Sequence, residues 1–283
     1  MTPTAILQAG WAALDQALRE NSLTMSDQAR YWILGKAYRE SGLGAVDPPS
    51  VFAQFDGTNN WGAVYWPSRT SPPNPFSLEF KEGHDTAPGG VPVTTLIAVY
   101  ATQVDGAKGM LFVYRKDGDV IPVLADPNAT TYDFARALYK HGYFGGCNVG
   151  RDGAPSLNRG QSFAKRADQL AAMLASNPNA TVQCVGTRRV VDILKDTQAA
   201  ADDANIREYA RMIDSGASAA RAAMGAPPVP QPVTPVTPPS QPTVTPPSQP
   251  STSSGLWWQL PTLGGLLYGG YRLAKRFQKE RRT

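Results

Sequence analysis

Cysteine and histidine are scarce in this chain. Its 283 residues include two of each: Cys147, Cys184, His84 and His141. None of them falls in a Cys-x-x-Cys or other metal-ligand spacing, so neither zinc nor any other metal or cofactor is expected. The two cysteines fit one disulfide or two separate thiols. Also missing is a basic stretch leading into an apolar run at the N-terminus, where Asp15 interrupts the first apolar segment. No secretory signal peptide is expected from that pattern. Net positive charge is absent from most of the chain. The segment 272–283 holds six basic residues against the single acid Glu280, a net of +5. The whole chain carries +4, so the rest sums to −1. A body of that charge does not read as a nucleic-acid binder, and the tail is a local basic patch.

From 222 to 271 there is no charged residue at all. Within this stretch, 226–250 contains eleven prolines and the direct repeat VTPPSQP, at 236–242 and 244–250. Proline removes backbone donors and fixes φ, so neither helix nor sheet is expected. The segment reads as a stiff spacer of roughly 3.1 Å per residue, with STSSG after it as a joint. The sixteen residues 256–271, LWWQLPTLGGLLYGGY, follow. A full span takes about 20 apolar residues. The Trp257–Trp258 pair at one end, and Tyr268, Tyr271 and arginines at the other, suit the two interfaces of a membrane. Gly264, Gly265, Gly269 and Gly270 would let another helix approach. Membrane anchoring through 256–271 is the expectation, and a plug docking on a protein is the alternative.

The N-terminal region reads as helices and extended segments. Residues 4–20 place Ile6, Trp11, Leu14 and Leu18 at helical spacing. Ser26 and Asp27 start a second helix, whose inward stripe is Ala29, Trp32, Ile33 and Ala37. Gly42 and Gly44 end it. Glu40 continues the stripe three residues after Ala37. An apolar face and the negative end of the helix macrodipole both oppose a charge there. That is a place for a carboxyl that keeps its proton, as a general acid must when it protonates a glycosidic oxygen. An idle glutamate at a helix end is the plain alternative.

Next comes FDGTNNWGAVYW, 55–66, a turn rich in rings. Then FSLEFKEG alternates, with Phe76, Leu78 and Phe80 on one face and Ser77, Glu79 and Lys81 on the other. Glu79 thereby lies on the open face of an extended segment. An acid and a second carboxylate are the usual pair in glycoside hydrolysis. Trp61, Tyr65 and Trp66 supply rings that either stack on sugars or belong to the core.

YRESGLG at 38–44, NNWG at 59–62 and LEFKEG at 78–83 together resemble the N-acetylglucosaminidase family of peptidoglycan hydrolases, the flagellar-rod-type muramidases and autolysins. Further likenesses are VYATQVDGAKGMLFVY at 99–114, YDFARALYKHGYFGG at 132–146 and QSFAKRADQLAAML at 161–174. The chain departs from the family's pattern at Asn–Asn–Trp–Gly, where Asn–Leu–Phe–Gly is usual. It also departs in the insertion WPSRTSPPNPF, and Glu82 and Asp85 rival Glu79. The resemblance implies a lysozyme-like fold over about 1–176, with Glu40 as general acid and Glu79 as second carboxylate. It makes Tyr143 a substrate-side residue and has Asn59 and Trp61 shape the cleft floor, beside Tyr65.

The expected fold class is α+β, mainly α. A lysozyme-like domain with a small extended lobe (1–178) would precede Ala-rich helices (179–225), a Pro-rich linker (226–255) and a hydrophobic anchor with basic tail (256–283). The expected function is cleavage of β-1,4 bonds in peptidoglycan glycan strands. The layout is similar to virion-associated hydrolases of membrane-containing phages, so virion or membrane proteins are further expected partners. Two alternatives stand beside it: a lytic transglycosylase using Glu40 alone, and a non-catalytic wall-binding or structural virion protein.

Overall fold

The computed structural model describes residues 2–45, 55–62, 65–66, 74–87, 91–144, 156–158, 163–183 and 187–227. Cys147, Cys184 and the expected anchor at 256–283 lie outside them, as does all but the start of the Pro-rich linker. The described part is mainly helical with two small antiparallel sheets.

Helix α1, Pro3–Glu20, starts at Thr2, whose hydroxyl accepts from the Ala5 N–H, with proline in the first turn. It buries Ile6, Leu7, Ala13, Leu14, Ala17 and Leu18. Trp11 sits at the margin of that face, its ring 4.7 Å from Tyr31. Helix α2, Asp27–Ser41, is capped by Ser26, whose hydroxyl accepts from Ala29 N–H. Its burial runs almost all round, from Tyr31 to Ala37. A helix buried that way has neighbours on several sides, and α2 is the centre of this one.

Strands β1 (Tyr65–Trp66), β2 (Glu79–Ala87) and β3 (Val91–Val99) form an antiparallel sheet in the order β1-β3-β2. Glu79 pairs with Val99, Lys81 with Ile97, and Tyr65 with Ile97 from the other side. The alternation expected from Phe76 onward holds only in part. Phe76 lies in a turn, the strand begins at Glu79, and Leu78 is 70% exposed instead of facing inward with Phe80.

Helix α3 (Gln103–Lys116) follows the sheet, then α4 (Val120–Ala125) and α5 (Thr131–Lys140). The start of α5 is a reciprocal capping box between Thr130 and Asp133. Beyond it, α6 (Phe163–Ser176), the hairpin β4–β5 (Thr181–Gln183, Thr187–Arg189) and α7 (Val190–Ile193) share a separate small core of Leu170, Ala180, Val190 and Ile193. The stretch expected to hold only Ala-rich helices, 179–225, therefore also contains two strands. Thr187–Arg189 completes a hairpin with β4, and Val190 N–H donates to Ala180 O at 2.9 Å.

The last described helix is α8, Gln198–Ala223. Its apolar positions Ile206, Tyr209, Ala210, Ile213, Ala217 and Ala220 belong to the same core as α1, α2, α3 and α5. This corrects the expected boundary at 178. The last helix of the Ala-rich stretch is a wall of the main core, and one compact unit holds all the described residues. The small side chains of α8 are suited to that place because they allow close approach to α2.

Among the described residues no helix is long and apolar enough to cross a membrane; the stretch expected to do so, 256–271, is not among them.

Candidate active site

The end of α2 is built with unusual backbone. Gly42 is the left-handed cap at φ 57°, and Leu43 and Gly44 stay left-handed at 62° and 61°. Leucine in that region costs on the order of 1–2 kcal/mol. Its side chain is fully buried, which holds it there. Gly44 must be glycine, because a Cβ would lie 2.3 Å from Asn60 N.

That tight end is tied to the turn at 55–62. Ser41 Oγ donates to Asn60 O at 2.5 Å, and Asn59 N–H donates to Gly44 O at 3.1 Å. The turn is tied in its turn to the end of β3. Asn60 Nδ2 donates to Ala98 O at 2.9 Å, and Asn59 Nδ2 to Tyr100 O at 3.0 Å. Gln103, at the start of α3, closes the knot. Its Nε2 donates to Leu43 O and Asn59 Oδ1, while its Oε1 accepts from Trp61 Nε1 at 2.5 Å. The helix that carries Glu40 and the sheet that carries Glu79 are thus connected by buried, directional bonds.

Glu40 lies one residue before this end, its side chain 15% exposed. Its surroundings differ from the apolar face expected. Lys36, one turn earlier, is fully buried and its Nζ donates to Glu40 Oε2. From α8, the Tyr209 hydroxyl donates to Glu40 Oε1. Aromatic rings complete the setting. The Lys36 ammonium lies 4.1 Å from the Tyr143 ring centroid and 5.9 Å from that of Tyr114. Phe144 stacks on Tyr209 at 3.7 Å with the planes 10° apart. Burial first, and then the Glu40 carboxylate, push the Tyr209 hydroxyl well above its ordinary range. Burial does the same to Tyr114, with Tyr143 and then Glu40 adding to it. Both hydroxyls stay protonated, so Tyr209 remains a donor.

The other expected site residues fall in several places. Glu79 is exposed at the head of β2, as is Glu82 three residues on. Tyr65 pairs through its backbone with Ile97, and its side chain is outside the described residues. Trp61 is fully buried. From there it cannot stack on a sugar, and its indole N–H is taken by Gln103 Oε1. Asn59 has its side-chain amide taken by Tyr100 O and Gln103, and it braces the turn. Tyr143 is 8% exposed, with its hydroxyl donating to Gly62 O at 2.5 Å. It serves as packing for Lys36, not as a substrate contact.

Lys36, Tyr209 and Gln103 were not anticipated. Lys36 had a signal, since it stands four residues before Glu40 on the same stripe. Tyr209 had none, because its contact with Glu40 spans 169 residues of sequence. Among the described residues no three His, Cys, Asp or Glu side chains gather into a metal-binding set.

No family model, curated protein or solved structure matches this chain. What the site does must come from its geometry.

Proposed function

We propose that the protein cleaves the glycan strands of peptidoglycan, with Glu40 as general acid. The observation that carries this is the Glu40 carboxyl itself. It is partly exposed at a helix end, held on both oxygens, and connected through Asn60 to the β2–β3 hairpin. A helix-terminal carboxyl beside a small antiparallel sheet is the arrangement expected of a lysozyme-like fold. In the reaction, a proton taken up by Glu40 passes to the glycosidic oxygen as the bond to the anomeric carbon breaks. Positive charge develops on the ring that keeps the anomeric carbon, and Glu79 is the carboxylate on the sheet side that would answer it, by attack on that carbon or by activating a water that attacks it. The 226–255 spacer and the 256–271 segment would tether the enzyme to a membrane, as in a phage virion, while it reaches the wall.

A second reading uses Glu40 alone. It is favoured by the position of Glu79, which stands exposed at the head of β2 without an ion pair among the described residues. A lytic transglycosylase needs no second carboxylate, because a hydroxyl of the substrate attacks.

One digestion separates these. Purified peptidoglycan is treated with the full-length protein and with its Glu40→Gln and Glu79→Gln variants, and the products are identified by mass spectrometry. Reducing ends lost in both variants support the hydrolase. Anhydro-sugars that survive Glu79→Gln support the transglycosylase. A folded wild type that binds glycan and releases nothing sinks both and leaves a wall-binding protein.

A further inference from the structure

We propose that Lys36 and Tyr209 are positioning residues for this reaction, one gripping each oxygen of the Glu40 carboxyl and together fixing where it points. The inference rests on the reading of Glu40 as the acid.

Lys36 is hard to explain as packing. It is fully buried at an inner position of α2. Taking an ammonium out of water costs several kcal/mol unless it is paired, and a methionine would fill the same space without that cost. Helix stability does not account for it either. A glutamate four residues before a lysine supports a helix better than the reverse order found here. What Lys36 has is a specific partner, Glu40 Oε2, and a cradle of rings from Tyr143 and Tyr114 that holds its charge in place.

Tyr209 grips the other oxygen from a different helix. Its own ring is fixed by the Phe144 stack. A glutamate at a helix end has three rotatable bonds, and a proton must travel along a defined line to the departing oxygen. Two grips from two helices remove that freedom before substrate arrives.

The groups facing the carboxyl are Lys36 from α2, Tyr209 from α8, Tyr114 from α3, and Tyr143 after α5. The phenols are neutral, so Lys36 carries the charge among these four.

The test compares full-length wild type, Lys36→Met and Tyr209→Phe on purified peptidoglycan across pH, with kcat and KM separated and thermal unfolding followed in parallel. Both variants are expected to keep KM and lose on the order of tenfold to a hundredfold in kcat. The split decides, since a packing defect that loosened the fold would raise KM as well. If Lys36→Met fails to unfold cooperatively, Tyr209→Phe decides, since it keeps the ring and its stack and lacks only the hydroxyl. An active wild type whose variants match it in kcat overturns this inference alone. A wild type that releases no sugar overturns the assignment of Glu40, and this inference with it.

Discussion

Gly35 and Gly216 lie backbone against backbone, α2 on α8. A Cβ on Gly35 would stand 2.2 Å from Ala217 N, and one on Gly216 would stand 2.2 Å from Gly35 O. No side chain can sit between the helices there. Close approach brings Tyr209, two turns before Gly216 on α8, to the Glu40 carboxyl at the end of α2.

Gly35→Ala must therefore push the helices apart. Overpacking a tight core costs typically about 1–3 kcal/mol, and the obstacle here is backbone, which cannot rotate away. The expected result is a loss at or above the top of that range in denaturant unfolding, together with reduced glycan release. Gly118→Ala is the control. Gly118 has φ +63° and nothing within 4 Å of a Cβ, so only local strain is added, about 1–2 kcal/mol, with activity kept.

A chain ending at 178 should not fold. It would lack Ile206, Tyr209, Ile213 and Ala217, all nearly or fully buried in the main core. Their partners on α1, α2 and α5 would be left facing water. The expected outcome is no cooperative thermal transition for 1–178 and a sharp one for 1–227, read by circular dichroism. A cooperative transition in the shorter chain would restore the boundary at 178.

The contrast between these two boundaries shows what was legible in the sequence. Local signals served well. Ser26 and Gly42 bracket α2, the stripe through Ala37 leads to Glu40, and α1 follows from Ile6, Leu14 and Leu18. Each depends on neighbours within a turn or two. What was missed depends on distant partners. An Ala-rich, weakly amphipathic helix reads as a stalk until the glycine facing it, Gly35, is placed against it. Trp61 reads as a sugar platform by type alone, and only the Gln103 side chain, 42 residues on, shows that its indole N–H is already occupied. Leu78 was placed inward by alternation, but alternation holds only inside a strand, and the strand starts at Glu79.

The capping box at α5 gives a pH dependence of known sign. The Thr130 hydroxyl, and after it the Thr130 backbone N–H, hold the Asp133 carboxyl below its ordinary 3.8, with burial opposing. The folded state thus favours the carboxylate. Its stabilisation is present in full above the ordinary value and is lost as pH falls from there through the lower value of the folded state. Asp133→Ala should lower stability by about 1 kcal/mol at neutral pH. The gap from wild type should shrink as pH drops below about 4 and the wild-type carboxyl takes up a proton. A gap independent of pH would mean that the charge of Asp133 contributes nothing.

Glu40 should prove important for stability as well as for chemistry. The usual expectation is that removing an active-site carboxyl relieves strain and stabilises a fold. Here it would leave Lys36 buried with its ammonium facing the Tyr143 and Tyr114 rings and without its carboxylate. Removing one partner of a buried pair costs about 3–5 kcal/mol. Glu40→Ala should therefore lower stability by an amount near that range, reduced somewhat because the carboxylate is 15% exposed. Glu40→Gln should lower it less, since its amide oxygen still accepts from Lys36 or Tyr209. Adding Lys36→Met to Glu40→Ala should recover part of the loss, because the buried ammonium is then gone. Urea unfolding of the four proteins at neutral pH gives the comparison. If Glu40→Ala is as stable as wild type, Lys36 is reaching water in solution and the two residues are not coupled. If the double variant is no better than Glu40→Ala, the loss comes from the cavity and not from the buried ammonium.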